Sequence, residues 1–292
     1  VKVTIALAEG PIYTEASIVI AVTAKSMSSS YPKWLLPVYE GLELACFMLS
    51  ACAFTVWLFD PAYPGTHLLG SAFFRRLLLG LSMGGTAVLI IHSPMGKRSG
   101  AHFNPAITLA YLRLGKIRGR EAFLYIVGQF LGAIFGVGVA ALLFGDTLAD
   151  PSVRYAVTVP GSGGTAGAFA AELFMSSLLM AVVLWVTNRP TLATKASYFV
   201  GGLISLYVLF LAPVSGFSIN PARTVGSAVF AHVWTAMWVY FTAPVIGMLG
   251  AAEAFRIVRG EDRILCAKLH PDPAYPCPFR CGYPGHVSIK PN

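Results

Sequence analysis

The sequence predicts an all-α membrane protein with six transmembrane helices and two re-entrant half-helices arranged as an inverted repeat. Three observations carry this reading: a shortage of charge, six apolar runs near bilayer length, and two Asn-Pro-Ala triplets, at Asn104 and Asn220. Of the 292 residues 56% are hydrophobic and 12% charged, about half the charged fraction of a soluble domain. The net charge of +8 does not indicate a nucleic-acid partner, because the basic residues lie between apolar runs rather than on one soluble face.

A helix needs about 20 apolar residues to cross a bilayer. Runs of that kind cover Leu35–Phe59, Leu77–His92, Phe123–Phe144, Ala166–Val186, Tyr198–Ala212 and Trp234–Ala254. Gly, Pro or charged residues end each one. An even number of spans places both termini on one side. Segments after spans two, four and six hold most of the Lys and Arg, including Lys97, Arg98, Lys116, Arg189 and Arg259, against Arg75, Arg76 and Arg154 after the odd spans. The positive-inside rule then predicts cytoplasmic termini in a cell membrane, plasma or inner. Residues 1–34 read as a poorly ordered segment in which Met27 is a candidate natural start, residues 35–258 as the membrane domain, and 259–292 as a Cys- and Pro-containing tail.

The chain repeats itself. GAHFNPAITLAYL around Asn104 answers GFSINPARTVGSAV around Asn220, each after two spans and before a third. Downstream, Gly128-Gln129 and Gly132 answer Ala243-Pro244 and Gly247; upstream, Glu43 answers Glu172. Three spans per half is an odd number, so the halves enter the bilayer with opposite orientation and meet at the midplane. Asn is a favoured N-cap and Pro a favoured first helical residue. Asn104-Pro105-Ala106 and Asn220-Pro221-Ala222 therefore each begin a helix, and the apolar residues that follow are too few to cross. Half-helices at membrane depth are tolerated where protein buries them or they line a watery cavity. Two such N-termini facing each other bring together about +0.5 elementary charge apiece, which disfavours cations. The Asn104 and Asn220 amides are placed to donate hydrogen bonds to a water between them.

On these residues the chain resembles the aquaporin and aquaglyceroporin (major intrinsic protein) family over about residues 35–258. The resemblance implies passive, ion-excluding permeation of water and possible small neutral solutes, with one pore per subunit of a homotetramer. It implies that the carbonyls of Gly100, Ala101 and His102, and of Gly216, Phe217 and Ser218, line the two halves of the pore. Glu43 and Glu172, with Gln129, would brace the half-helix loops, since an acid inside a span needs a partner or a role. Arg223 would stand at the outer constriction as a donor and cation barrier, in a ring with Leu79, Val208 and Phe217.

The solute class is divided in the sequence. Val208 lacks the His of water-specific members, and the ring is mostly apolar; Thr224, Ala228 and Tyr240-Phe241 resemble water-type members instead. Water is the expected permeant, with a glycerol-type facilitator as the alternative. An ion-coupled transporter would need a binding site beyond two amides and one Arg, and no nucleophile–base pair within the spans suggests an enzyme. No cofactor is expected in the channel. Cys46 and Cys52 read as packing residues, whereas Cys266, His270, Cys277, Cys281 and His286 in the tail have spacings near those of a zinc site. The rival reading is an irregular tail with free thiols.

Overall fold

The computed structural model describes residues 32–260 and 264–283; the Met27 start, the body of the N-terminal segment and His286 lie outside them. In chain order the helices are α1 (Leu35–Phe59), α2 (Pro64–Leu68), α3 (Ala72–His92), α4 (Pro94–Ser99), α5 (Pro105–Arg113), α6 (Gly119–Phe144), α7 (Asp146–Ala149), α8 (Gly164–Thr187), α9 (Ala196–Phe210), α10 (Ala212–Ser215), α11 (Pro221–Ala231) and α12 (Met237–Arg259). The predicted spans correspond to α1, α3, α6, α8, α9 and α12, and the half-helices to α5 and α11. The stretch Pro94–Arg98 lies in α4, started by Ser93, whose Oγ accepts the Gly96 N–H at 3.0 Å; α10 is its shorter counterpart, and both end on a left-handed glycine, Gly100 and Gly216.

Helix pairing follows the repeat. α1 packs on α6 as α8 packs on α12, α5 packs on α12 as α11 packs on α6, and α3 meets α9 at the junction of the halves. In lipid no hydrophobic force drives helices together, so close backbone approach has to supply the contact. Small residues allow it: a Cβ on Gly41 would stand 2.7 Å from the Gly128 carbonyl oxygen, and one on Gly201 would stand 2.7 Å from that of Gly84. Apolar side chains such as Leu142, 88% exposed, cover the outside.

The half-helix loops depart furthest from ordinary backbone, and do so in matching positions. Ala101 and Phe103 have φ of 57° and 30°, and Phe217 and Ile219 have 52° and 49°. Left-handed backbone outside glycine costs on the order of 1–3 kcal/mol per residue, so the loops need firm partners. In the second half Glu172 meets this need alone, accepting the Ser218 and Ile219 N–H groups at 2.8 and 2.5 Å and the Ser215 hydroxyl at 2.8 Å.

In the first half the same bonds are divided, which corrects the expectation for Glu43. Glu43 accepts only the Ser99 hydroxyl, at 2.7 Å. The backbone bonds go to Glu40, one turn earlier, which takes the His102 and Phe103 N–H groups at 3.0 and 2.6 Å. The division is open only to the first half, where Glu40 stands one turn before Glu43 while Phe169 holds that place before Glu172, and Gln129 helps to fix Glu40. Its Nε2 donates to Glu40 Oε2 at 2.8 Å and contacts Thr108 Oγ1 at 3.1 Å, drawing Glu40 to the loop. Pro244, at the matching place in α12, has no donor to do so. Tyrosines complete both braces: Tyr125 donates to the Ser99 carbonyl at 2.8 Å and Tyr240 to that of Ser215 at 2.7 Å.

This division predicts unequal effects of two isosteric changes. Glu40→Gln points an amide where an N–H must be accepted and removes charge-assisted bonds, a loss of about 2–3 kcal/mol. Glu43→Gln keeps an acceptor for Ser99. Thermal unfolding of the detergent-solubilised chain should therefore fall several degrees further for Glu40→Gln than for Glu43→Gln.

Candidate functional site: a pore between two half-helices

Each motif caps its own helix and fastens the other. Asn104 Oδ1 accepts the Ala106 N–H at 2.9 Å, and Asn220 Oδ1 accepts those of Ala222 and Arg223 at 3.0 and 3.2 Å. The amide nitrogens reach across the centre, Asn104 Nδ2 to the Ile219 carbonyl and Asn220 Nδ2 to the Phe103 carbonyl, both at 2.8 Å. Each amide has two N–H donors. One joins the loops, which the sequence reading did not foresee, and one is left for a further acceptor. Pro105 and Pro221 sit at the first helical positions, and Ala106 and Ala222 are fully buried behind them.

Two cavities lie along the path. The first, about 60 Å³, is lined by Leu79, Val208, Phe217 and Arg223 together, so all four ring residues expected from sequence come to one place. Phe47, Thr55, Met83 and Gly216 line it as well. Arg223 is 7% exposed, and its Nη1 has no hydrogen-bond partner. A buried cationic donor without a partner is costly unless something passing by accepts from it. The second cavity, about 30 Å³, contains Asn104, Asn220 and Ser218, with Val183, Val200 and Ile204 on its wall. That is room for about one water. Phe47, absent from the sequence expectation, borders both cavities and lies 5.9 Å from the Phe103 ring. One aromatic among several in an apolar span gives no sequence signal for such a place.

The residues that resemble water-type members lie off this path. Tyr240 holds the Ser215 carbonyl, Phe241 stacks on Phe130 at 6.1 Å, and Thr224 meets the hydroxyls of Ser218 and Thr158 at 2.5 and 3.0 Å. His102 is fully buried, with Nδ1 3.1 Å from Thr108 Oγ1 and Nε2 2.9 Å from the Ala267 carbonyl, so its ring joins loop to tail.

The tail is packed into the protein. Leu269 is buried on the wall of the second cavity, and its N–H donates to the Gly100 carbonyl at 3.0 Å. Phe279 lies parallel to His102, ring centres 5.3 Å apart. Cys266, Cys277 and Cys281 converge, their sulfurs all within 4.8 Å of one another. Hydrogen bonding to the Cys266 and Cys281 sulfurs, which favours the protonated thiol, and then burial push Cys277 well above the ordinary range. His270 is not among them; its ring stands 4.6 Å from that of His92, beside Lys97 and Asp272.

Comparison with known proteins agrees with this geometry. The major intrinsic protein signature matches residues 38–255. A probable NIP-type aquaporin of Nicotiana alata is 37% identical over 182 residues, 62% of this chain and 66% of that protein. Aquaporin NIP1-1 of Zea mays is 36% identical over 62% of this chain and 63% of its own length. The chain thus spans about two thirds of the length of these relatives. The X-ray structure of the aquaglyceroporin from Plasmodium falciparum shares the fold, with a TM-score of 0.63 at 20% identity over 76% of this chain and 95% of that one. A match that runs from the first span to the last, and through both half-helices between them, places the chain in the major intrinsic protein family.

Proposed function

We propose that the chain forms a passive pore for water and small neutral solutes that excludes ions. One observation carries this most directly: two Asn-capped helix N-termini abut at the small central cavity, each keeping an amide N–H for a passing oxygen. Facing positive helix ends repel cations, a known device of aquaporin-type pores. Hydrogen bonds donated from both sides orient a water so that it cannot relay a proton along the file. Arg223 adds a second cationic barrier and a donor at the ring. Leu79, Val208 and Phe217 complete the filter as apolar walls, and Glu40, Glu43, Glu172 and Gln129 act as loop braces rather than proton carriers.

The charge pattern of the sequence supports a multi-pass cell-membrane protein with both termini cytoplasmic, so the tail meets the cytoplasmic mouth. Family resemblance supports a homotetramer in which every subunit has its own pore, and chemical cross-linking of membranes would report it as a ladder ending at four chains. A second reading, a glycerol-type facilitator, is favoured by the ring itself: Arg223 is its only strong donor, and the water-type residues Tyr240 and Thr224 are engaged in loop packing instead.

Stopped-flow light scattering on proteoliposomes tests the pore. With the tail displaced, osmotic shrinkage should be much faster than in empty liposomes and carry no ionic current; a rate equal to empty liposomes overturns the proposal. Placing a bulky donor in the ring by Val208→His should narrow the ring and lower glycerol flux several-fold while sparing water. Glycerol flux left unchanged by the substitution would remove Val208 from the filter.

A further inference from the structure

The tail sequence 264–283 is stitched to three loops on one face of the channel. Leu265 N–H donates to Asn188 Oδ1 at 2.5 Å, Arg280 N–H to the Lys116 carbonyl at 3.2 Å, and Lys97 pairs with Asp272 at 3.0 Å. Leu269, at the tip, enters the wall of the central cavity between Ile107 of α5 and Val200 and Ile204 of α9. Behind it the three cysteines close a knot. Cys266 and Cys277 sulfurs are 3.4 Å apart, and the Lys268 N–H points at Cys266 Sγ at 3.4 Å. Lys268 is fully buried, its Nζ donating to the carbonyls of Lys97, Tyr275 and Pro276 at 2.6, 3.1 and 3.1 Å.

We propose that Cys266, Cys277 and Cys281 are the ligands of a zinc ion, and that this ion pins Leu269 in the pore so that metal binding closes the channel. The gating half rests on the pore reading above; the metal site does not. Zinc–thiolate bonds of about 2.3 Å set tetrahedral sulfurs about 3.8 Å apart, and these three sulfurs already lie within 4.8 Å of one another. Three sulfurs leave a fourth position for a water or another donor. Each thiol releases its proton to solvent as the metal binds, and no oxidation state changes. Three thiolates and one zinc carry a net charge of −1, which the Lys268 ammonium beside them cancels. A backbone N–H on Cys266 Sγ is the outer-shell contact that orients a metal ligand. His270 stands with His92 and takes no part.

The test uses the full chain, purified without chelator and reconstituted in liposomes. Metal analysis should find one zinc per chain, absent from Cys277→Ser and Cys281→Ser. Cobalt exchanged into the site should show the thiolate charge-transfer band and strong visible absorption of a tetrahedral site. A high-affinity chelator on the tail side should raise water permeability of the wild type several-fold, and added zinc should reverse it. Leu269→Gly should bind zinc normally and be open with or without it. Substoichiometric zinc with no cobalt spectrum, or a Cys266–Cys277 disulfide in its place, overturns the metal site. Stoichiometric zinc whose removal leaves the wild type as slow as before, while Leu269→Gly conducts, overturns the gating. If Leu269→Gly and Cys277→Ser are both no faster than empty liposomes, the pore reading fails instead, and the metal site is judged on its cobalt spectrum alone.

Discussion

The structure depends on one reciprocal pair of hydrogen bonds, from the Asn104 amide to the Ile219 carbonyl and from the Asn220 amide to the Phe103 carbonyl. Backbone that is neither helix nor sheet cannot stand in hydrocarbon with its N–H and C=O groups unpaired. Each asparagine answers that constraint twice, capping its own half-helix with Oδ1 and satisfying the opposite loop with Nδ2. The bonds also force the two N-termini together, against the mutual repulsion of their dipoles. The positive centre is therefore a consequence of how the irregular backbone is satisfied. What holds the loops also sets the charge a permeating molecule meets.

Around that pair the halves are near copies, and their differences have chemical causes. Thr108 meets the His102 ring as Thr224 meets the Ser218 hydroxyl, and Tyr125 serves Ser99 as Tyr240 serves Ser215. The copies diverge where Glu40 and Gln129 stand opposite Phe169 and Pro244, and there one brace is split between Glu40 and Glu43. They diverge again where His102 stands opposite Ser218. An imidazole offers a second nitrogen and a flat face, and the tail uses both, through the Ala267 carbonyl and Phe279. The Gly100 carbonyl, expected to face the permeant, is taken by the Leu269 N–H. One mouth thus has the ring of Arg223 and apolar walls, and the other has a protein segment.

Much of this was legible in the sequence because it follows from short-range rules. Span lengths, the caps at Asn104 and Asn220 and the inversion all follow from apolar runs and N-cap chemistry. The ring was reachable as well, since Val208, Phe217 and Arg223 could be placed from the second motif and Leu79 from the alignment of span two through Gly80-Leu81-Ser82. Glu40 was missed because Glu43 matches Glu172 in the repeat, and choosing between acids one turn apart requires knowing that Gln129 is a donor aimed at one of them. Phe47 was missed because nothing separates a pore-facing aromatic from a lipid-facing one in a helix apolar all round. Tail spacings suggested a metal site but could not exclude His270, which sits four residues from Cys266 yet turns to His92.

The tail poses a question of magnitude. Burying one leucine contributes about 1.5–3 kcal/mol, whereas fixing a residue's backbone costs about 1–2 kcal/mol. Leu269 by itself offsets the ordering of one or two residues, far fewer than the segment that carries it. The partly exposed Lys97–Asp272 pair contributes about 0–1 kcal/mol, and the burial of Ile264, Ala267 and Phe279 with the three Lys268 bonds adds more. The buried knot differs in kind. Zinc binding to structural sites releases about 10–16 kcal/mol, and at the proposed site it would act on residues 266, 277 and 281 at once, closing the loop that carries Leu269 and Lys268. At the proposed site, a tail cross-linked behind the leucine would have fewer places to put it than one held by packing alone. On the proposed gate, that disparity makes the cysteines, rather than Leu269, the point of control.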